Sequence, residues 1–263
     1  MVFFRCFPNS SDSINSNSFN SEVNMKLYGK NPVLERIKTN PKTIQRIIIA
    51  AGHPEHSYIA LKAKKHGIAI SVVPGTKILK LGRSNNTQGI IADVADFPYK
   101  NFDELLEESL EKNYTLFFLD QLTDPQNLGA IIRSLGCLGG FGIVLPTHDS
   151  VSVTEAVMRV ASGGDNFVYV ARVSNLNRAI DEAKSADFWI AGAVVEEGED
   201  ITQTKLQFPL GIVIGSEQKG IREIIRKRLD HFIRIPMAQP RMSLNVAQAT
   251  TIFAYEIIKQ QKT

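Results

Sequence analysis

The chain has 263 residues, 43% hydrophobic and 22% charged, with a formal net charge of +3. That is the make-up of a globular protein of one large domain or two modest ones, not of a fibrous or wholly disordered chain. No apolar run approaches the roughly 20 residues a membrane helix needs, so a soluble, cytoplasmic protein is expected.

Cys6 and Cys137 have no near partners, which argues against a disulfide framework or a cysteine zinc site and suits a reducing compartment. His53 and His56 lie close together, but no metalloprotease pattern surrounds them. They read as a turn before a helix, and no metal is expected. The charge is unevenly spread. Residues 26–100 hold 13 Lys/Arg against 4 Asp/Glu, and residues 101–263 hold 16 against 21. A basic module joined to an acidic one suggests that the first meets a polyanion, although lysines also simply solvate helices. Lys62, Lys64 and Lys65 are the candidate contacts.

Residues 1–25 form a polar leader, read either as a disordered tail or as an upstream extension of a start at Met25, whose stretch 9–24 is too rich in Ser and Asn to bury a core. Its apolar segment Val2–Phe7 is too short for a secretory signal and is interrupted by Arg5. From Leu27 strand and helix alternate. Arg46–Ala50 reads as a strand, Ser57–His66 as a helix capped by Ser57 and ended at Gly67, and Ile68–Val73 and Gly89–Val94 as strands. This first module spans residues 26–97. Ala95–Lys100, with Pro98, reads as the linker to a second domain over residues 98–263.

The second domain opens with an acidic helix, Phe102–Lys112. Strands are expected at Tyr114–Leu119, Gly142–Leu145, Val168–Val173, Phe188–Ala193, Leu210–Ile214 and Phe232–Ile235. Helices are expected at Leu128–Leu138, Thr154–Ser162, Ser174–Ala186 (capped by Ser174) and Leu244–Lys259. Apolar runs such as Ile212-Val213-Ile214 predict strands buried on both faces, hence a parallel sheet covered by helices. Ligands of such sheets bind beyond the strands' carboxyl ends, where three unusual groups of residues fall.

The first group runs from Asp120 through Pro125, Asn127 and Gly129 to Arg133. Asn127 and Arg133, six positions apart, would be about 240° apart if both were helical, so Asn127 is expected in the loop or at the helix cap. A plain cap and a surface arginine would look the same. The second group is Gly215-Ser216-Glu217-Gln218-Lys219-Gly220 after a strand. Its glycines have phosphate-loop spacing, but Ile221-Arg222 stand where that loop needs Lys and Ser or Thr. The dinucleotide fingerprint is missing too, because Gly139, Gly140 and Gly142 follow a helix and precede a strand. A structural turn and a cofactor loop both remain open here. The third group is Ile235-Pro236-Met237, then Ser243-Leu244-Asn245, with Ser243 expected to cap the last helix and Asn245 in its first turn.

Taken in this order, the three groups resemble the SpoU (TrmH-like) family of RNA ribose 2′-O-methyltransferases of the SPOUT superfamily. Asn127, Gly129 and Arg133 match its first motif. Gly215, Glu217 and Gly220 match the second, and Ile235-Pro236-Met237 with Ser243-Leu244-Asn245 match the third. Tyr28-Gly29 through Val33-Leu34-Glu35 is similar to the start of the family's ribosomal-protein-like substrate-binding domain. Gln218 stands where the second motif often has Gly, and Gln239-Pro240-Arg241 replaces a Gly-containing loop.

The resemblance implies an α/β fold, a parallel sheet with a C-terminal trefoil knot, preceded by the small substrate-binding domain. It implies S-adenosyl-L-methionine as cofactor, held around Gly215, Ile235 and Leu244 with Ile214, Met237 and Gly220, and S-adenosyl-L-homocysteine as product. It further implies a homodimer through the catalytic domain, no metal, and an RNA substrate, in the first place a guanosine of 23S ribosomal RNA, with transfer RNA as the alternative. Arg133, Asn127, Glu217, Ser243 and Asn245 are the implied catalytic set. A guanidinium stays protonated near neutral pH, so Arg133 suits an RNA phosphate or a developing alkoxide better than a base's role.

Overall fold

A computed structural model describes residues 25–82, 87–239 and 243–261. The polar leader up to Asn24, and Pro240 and Arg241 of the loop before the last helix, lie outside the described residues.

Strands β1 (Met25–Tyr28), β2 (Ile44–Ala50), β3 (Ala69–Val73) and β4 (Ile90–Val94) make a four-stranded sheet in the order β1-β4-β2-β3. β4 is antiparallel to β1 and β2, while β3 runs parallel to β2. Side chains alternate across a strand, and here both faces are covered. Ile47 and Ile49 pack with Val33 and Ile37 of helix α1 (Lys30–Thr39) and Ile59 and Ala63 of α2 (His56–Lys65). Ile48 points the other way, onto Ile78 of α3 (Gly75–Leu81) and Tyr28.

The second sheet has seven strands, ordered β7-β6-β5-β10-β8-β11-β9 and parallel throughout. They are β5 (Thr115–Leu119), β6 (Phe141–Pro146), β7 (Tyr169–Val173), β8 (Trp189–Val194), β9 (Glu199–Asp200), β10 (Leu210–Ile214) and β11 (His231–Arg234). One face meets α4 (Phe102–Lys112), α7 (Leu176–Ser185) and α8 (Glu223–Arg226) through residues such as Phe118, Val144 and Val213. The opposite face meets α5 (Pro125–Leu138), α6 (Glu155–Ala161) and α9 (Val246–Gln261) through Phe117, Ile143 and Ile212. Two-sided burial explains why these strands read as unbroken apolar runs. The chain order reverses beside β5, which lies between β6 and β10, so a crevice is expected where Leu119 and Ile214 end their strands side by side.

The two sheets are docked. Glu155 of α6 accepts hydrogen bonds from the backbone N–H of Lys26 (2.8 Å) and the hydroxyl of Tyr28 (2.9 Å). Arg36 of α1 forms a buried ion pair with Asp165. The Ala95–Lys100 connector is tied down at its end. Tyr99 Oη accepts from the N–H of Val153, and the N–H of Lys100 donates to the Val170 carbonyl.

Four expected caps are corrected. α2 starts at His56 without a side-chain cap, and Ser57 lies inside it. Asn175, not Ser174, caps α7 by accepting from Asn177 and Arg178. α5 starts three residues earlier than expected because Pro125, with φ already helical and no N–H to satisfy, occupies its first turn. Asp124 caps it, so Asn127 is helical rather than in the loop or at the cap. At α9 the side-chain oxygen of Asn245 accepts from the N–H of Ala247 at 2.8 Å, so Asn245 does the capping expected of Ser243. β1, α1, α3, the two-residue β9 and the short α8 were not read from the sequence.

Candidate active site

The Gly215–Gly220 segment leaves β10 as a closed turn. Ser216 and Gly220 exchange backbone hydrogen bonds of 3.1 and 2.9 Å, and the N–H of Lys219 donates to Ser216 Oγ. Gly220 has φ +65°, a conformation glycine adopts without strain. A Cβ at Gly215 would lie 2.1 Å from the Gly220 carbonyl carbon. The loop is therefore a tight structural turn, and its two glycines are needed to close it. Asp120, buried just past β5, anchors the exit: its carboxylate accepts from the N–H of Arg222 (3.1 Å) and from Arg222 Nε (2.8 Å).

This turn holds Glu217 against α5 and α9. Asn127 Nδ2 donates to Glu217 Oε1 at 3.0 Å. Asn245 Nδ2 donates to the same oxygen at 2.9 Å and to Asn127 Oδ1 at 2.9 Å. Residues from three separated stretches thus share one closed set of bonds, which leaves Glu217 Oε2 outside it. Because Asn127 is buried and itself helical, its amide is held in place.

Two clefts meet at this cluster. The larger, about 870 Å³, is lined by Ile214, Gly215, Glu217, Gly220, Ile235, Met237, Ser243 and Leu244, and so by all six residues expected to hold a cofactor. It also includes residues the sequence reading did not single out, namely Val195, Glu196 and Glu197 after β8 and Phe253 of α9. Apolar Ile214, Ile235, Leu244 and Phe253 face a rim of mixed charge, with Glu196, Glu197 and Glu223 alongside Lys219, Arg222 and Arg226. The smaller cleft, about 330 Å³, is lined by Gln121, Thr123, Asp124, Asn127 and Asp149, and shares Ser216–Lys219 with the first. Gln218, one of the two departures from the motifs, lines both clefts.

Arg133 is not brought to the cluster. It is exposed, lines neither cleft, and stands six residues beyond Asn127 on one continuous helix, about 240° around it. α5 lies against α9, to which Ser134 is bonded by Thr251 at 2.8 Å, and α9 exposes Ile252 and Tyr255. Lys62, Lys64 and Lys65 lie on the last turns of α2, far along the chain from this site. Among the described residues no group of three or more His, Cys, Asp or Glu could hold a metal ion, and no helix is long and apolar enough to cross a membrane.

The fold, a parallel sheet joined to a small α/β domain, is similar to that of solved RNA methyltransferases. An AdoMet-bound rRNA methyltransferase from Sinorhizobium meliloti superposes with a TM-score of 0.74 at 21% identity, over 89% of this chain and 87% of that one. The SpoU methyltransferase AviRb from Streptomyces viridochromogenes, in complex with AdoMet, gives 0.72 at 20% identity, over 90% of each chain. Residues 99–255 match the model of the SpoU rRNA Methylase family, and residues 26–100 match that described as RNA 2′-O ribose methyltransferase substrate binding. YacO of Bacillus subtilis, named for the TrmH family of tRNA/rRNA methyltransferases, is 35% identical over 239 residues, which are 89% of this chain and 95% of that protein. The chain belongs to the SpoU rRNA methylase family and is an RNA methyltransferase.

Proposed function

We propose that the protein transfers a methyl group from S-adenosyl-L-methionine to a ribose 2′-hydroxyl of RNA, in the first place a guanosine of 23S ribosomal RNA. The observation that carries this reading is the Asn127–Glu217–Asn245 cluster, set where a cofactor-sized cleft meets a smaller one.

The larger cleft suits this cofactor. Ile214, Ile235, Leu244 and Phe253 offer apolar surface for an adenine, and the charged rim offers both signs for the cofactor's amino-acid end, which carries an ammonium and a carboxylate. Gly215, against which the Gly220–Ile221 backbone packs, closes the turn that walls this cleft. When bound, S-adenosylmethionine would supply an electrophilic methyl group, its S–CH3 bond breaking as the O–CH3 bond forms, with S-adenosylhomocysteine as leaving group and the hydroxyl's proton released to water. Asn127 and Asn245 hold Glu217 so that Oε2 can accept a hydrogen bond from the acceptor hydroxyl and fix its direction. Ser243, on the wall of the same cleft, is placed to touch cofactor or substrate.

Arg133 requires a second chain in this reading. A homodimer formed through the α5–α9 face would bury Ile252 and Tyr255 and carry Arg133 to the partner's clefts, where its charge would steady an RNA phosphate or the developing alkoxide. The family's trefoil knot would run through the segments at Gly215, Ile235 and Leu244, domain boundaries near residues 97 and 98 fit the tied connector, and the cytoplasm is the expected compartment. Transfer RNA is the alternative substrate, since relatives are named for both tRNA and rRNA methylation. A fold retained only for RNA binding is disfavoured by the intact cluster.

The test is methyl transfer from isotope-labelled S-adenosylmethionine to 23S rRNA and to bulk transfer RNA, followed by digestion to nucleosides. Labelled 2′-O-methylguanosine from 23S rRNA is the expected product. Label confined to transfer RNA would overturn the target, and label on a base would overturn the ribose assignment.

A further inference from the structure

The first domain carries a second surface that the cluster does not use. From His56 to Gly82 the chain has five lysines and no Asp or Glu: Lys62, Lys64 and Lys65 on α2, and Lys77 and Lys80 on α3 across the sheet. Several lysines elsewhere are paired, as Lys30 is with Glu55, Lys184 with Asp230 and Lys259 with Glu256, whereas Lys42, Lys205, Lys219 and Lys227 are scattered singly without an ion pair among the described residues. Among the described residues, none of the five between His56 and Gly82 makes an ion pair. Their charge is left for something outside the chain.

The same stretch exposes apolar side chains between its lysines. Tyr58 is 44% exposed, Leu61 58%, Val72 52% and Leu79 52%. On α2, Tyr58, Leu61, Lys62 and Lys65 recur at helical spacing, on the side away from the buried Ile59 and Ala63. Lys62 Nζ stands 5.6 Å from the Tyr58 ring centroid. Beside α2, β3 is the edge of its sheet and is largely exposed.

Charge alone would serve any RNA helix. A duplex offers phosphates and ribose hydroxyls but hides the faces of its bases, so exposed apolar side chains among the lysines gain nothing from it. Unpaired bases offer both phosphates and open π-faces, which stack on aromatic side chains. We propose that the α2–β3 surface, with Tyr58 as stacking platform and Leu61 and Val72 beside it, grips an unpaired segment of RNA. This rests on the protein being an RNA methyltransferase and goes further by naming the structural class of RNA it holds.

The experiment measures binding of the full-length protein, by fluorescence anisotropy over a range of salt, to a 12-nucleotide oligouridine and a 12-base-pair RNA duplex (lengths chosen to be about the span of one such surface). Oligouridine is expected to bind more tightly than the duplex. Tyr58→Ala should weaken oligouridine about tenfold, leave its salt slope unchanged and leave the duplex unaffected, whereas Tyr58→Phe should bind as the parent does. Lys62→Glu with Lys65→Glu should weaken both RNAs and flatten the salt slope. Equal or tighter binding of the duplex, or a Tyr58→Ala variant that binds oligouridine normally, would overturn the proposal. Methyl transfer to 23S rRNA measured on the same preparations keeps the two ideas apart. Activity with no preference for unpaired RNA sinks this surface alone, while loss of ribose methylation from the parent sinks the function.

Discussion

Asn245 Nδ2 donates to Glu217 Oε1 at 2.9 Å, while the other end of the same amide caps α9 through the N–H of Ala247. One side chain therefore ties the start of the last helix to the turn after β10. The two jobs separate by substitution. Asn245→Ala removes both, and should cost about 1 kcal/mol of stability for the cap together with most activity. Asn245→Asp keeps a good cap but sets a carboxylate against Glu217. It should melt close to the parent yet turn over on the order of 100-fold more slowly, the scale on which one oriented polar group is felt. Thermal melting and single-turnover methyl transfer check both variants. Normal turnover in Asn245→Asp would show that the amide does not orient Glu217.

Gly215→Ala is a sharper structural test. The added methyl would lie 2.1 Å from the Gly220 carbonyl carbon and 2.3 Å from the Ile221 nitrogen, both backbone atoms that cannot swing aside. The turn must open, so calorimetry should find cofactor affinity reduced at least about tenfold and stability lower by about 1–3 kcal/mol. Gly139→Ala is a suitable comparison, since nothing lies within 4 Å of its would-be Cβ, although its φ of +75° still costs some strain.

Much of the second domain was legible because its signals are local. α4 and β10 have the bounds that periodicity predicts, since an acidic amphipathic run and a five-residue apolar run each carry their own ends. The first domain was harder. α1 begins after Gly29 with no capping side chain, and α3 is a seven-residue helix with a single buried residue, so neither announces itself. At the site, the family resemblance pointed to Asn127, Glu217 and Asn245, which residue types alone left as caps or a turn, and only the fold could set three stretches around one carboxylate oxygen. Asp120 was visible as an acid after a strand, yet its bond to Arg222 spans 102 positions and leaves no pattern in the sequence. The larger cleft's Glu196 and Glu197 were unreadable for the same reason.

The domain junction should be the protein's weak point under mutation. Arg36 and Asp165 have side chains only 3% and 1% exposed. Removing one partner of such a pair leaves an uncompensated buried charge. Asp165→Ala should therefore lose about 3–5 kcal/mol in urea unfolding, whereas replacing both residues by apolar ones should recover a large part of that loss. A double variant no more stable than the single would show that the pair matters for its shape rather than its charge.

The first sheet should also report on acid. Burial alone would push the Asp93 carboxyl up, but hydrogen bonds from Lys26 and Arg46, with their charges, outweigh it and hold the group below its ordinary 3.8. A depressed carboxyl contributes stability that is fully present above the unfolded value and lost as pH falls through the folded one. Melting temperature should thus fall more steeply below about pH 4 in the parent than in Asp93→Asn, which has no such proton to take up. Parallel curves for the two proteins would remove Asp93 from the acid response.

Arg133 offers the most decisive test, because it bears on chemistry and assembly at once. Being exposed, it should be dispensable for folding, so Arg133→Ala should melt as the parent does and bind S-adenosylmethionine nearly as well. Its methyl transfer should fall at least about 100-fold, and Arg133→Lys should restore little, since an ammonium lacks the planar fork that matches a phosphate. If Arg133 acts in the clefts of a partner chain, two dead variants can repair each other. In a mixture of Arg133→Ala and Glu217→Ala, a hybrid dimer has one site with both residues intact and one with neither. Random reassociation makes about half the dimers hybrids, so activity should return to about a quarter of the parent's. A mixture as inactive as its components, with hybrid dimers demonstrated by tagged chains, would place Arg133 within its own subunit or outside the reaction. Near-normal turnover in Arg133→Ala alone would remove it from the mechanism.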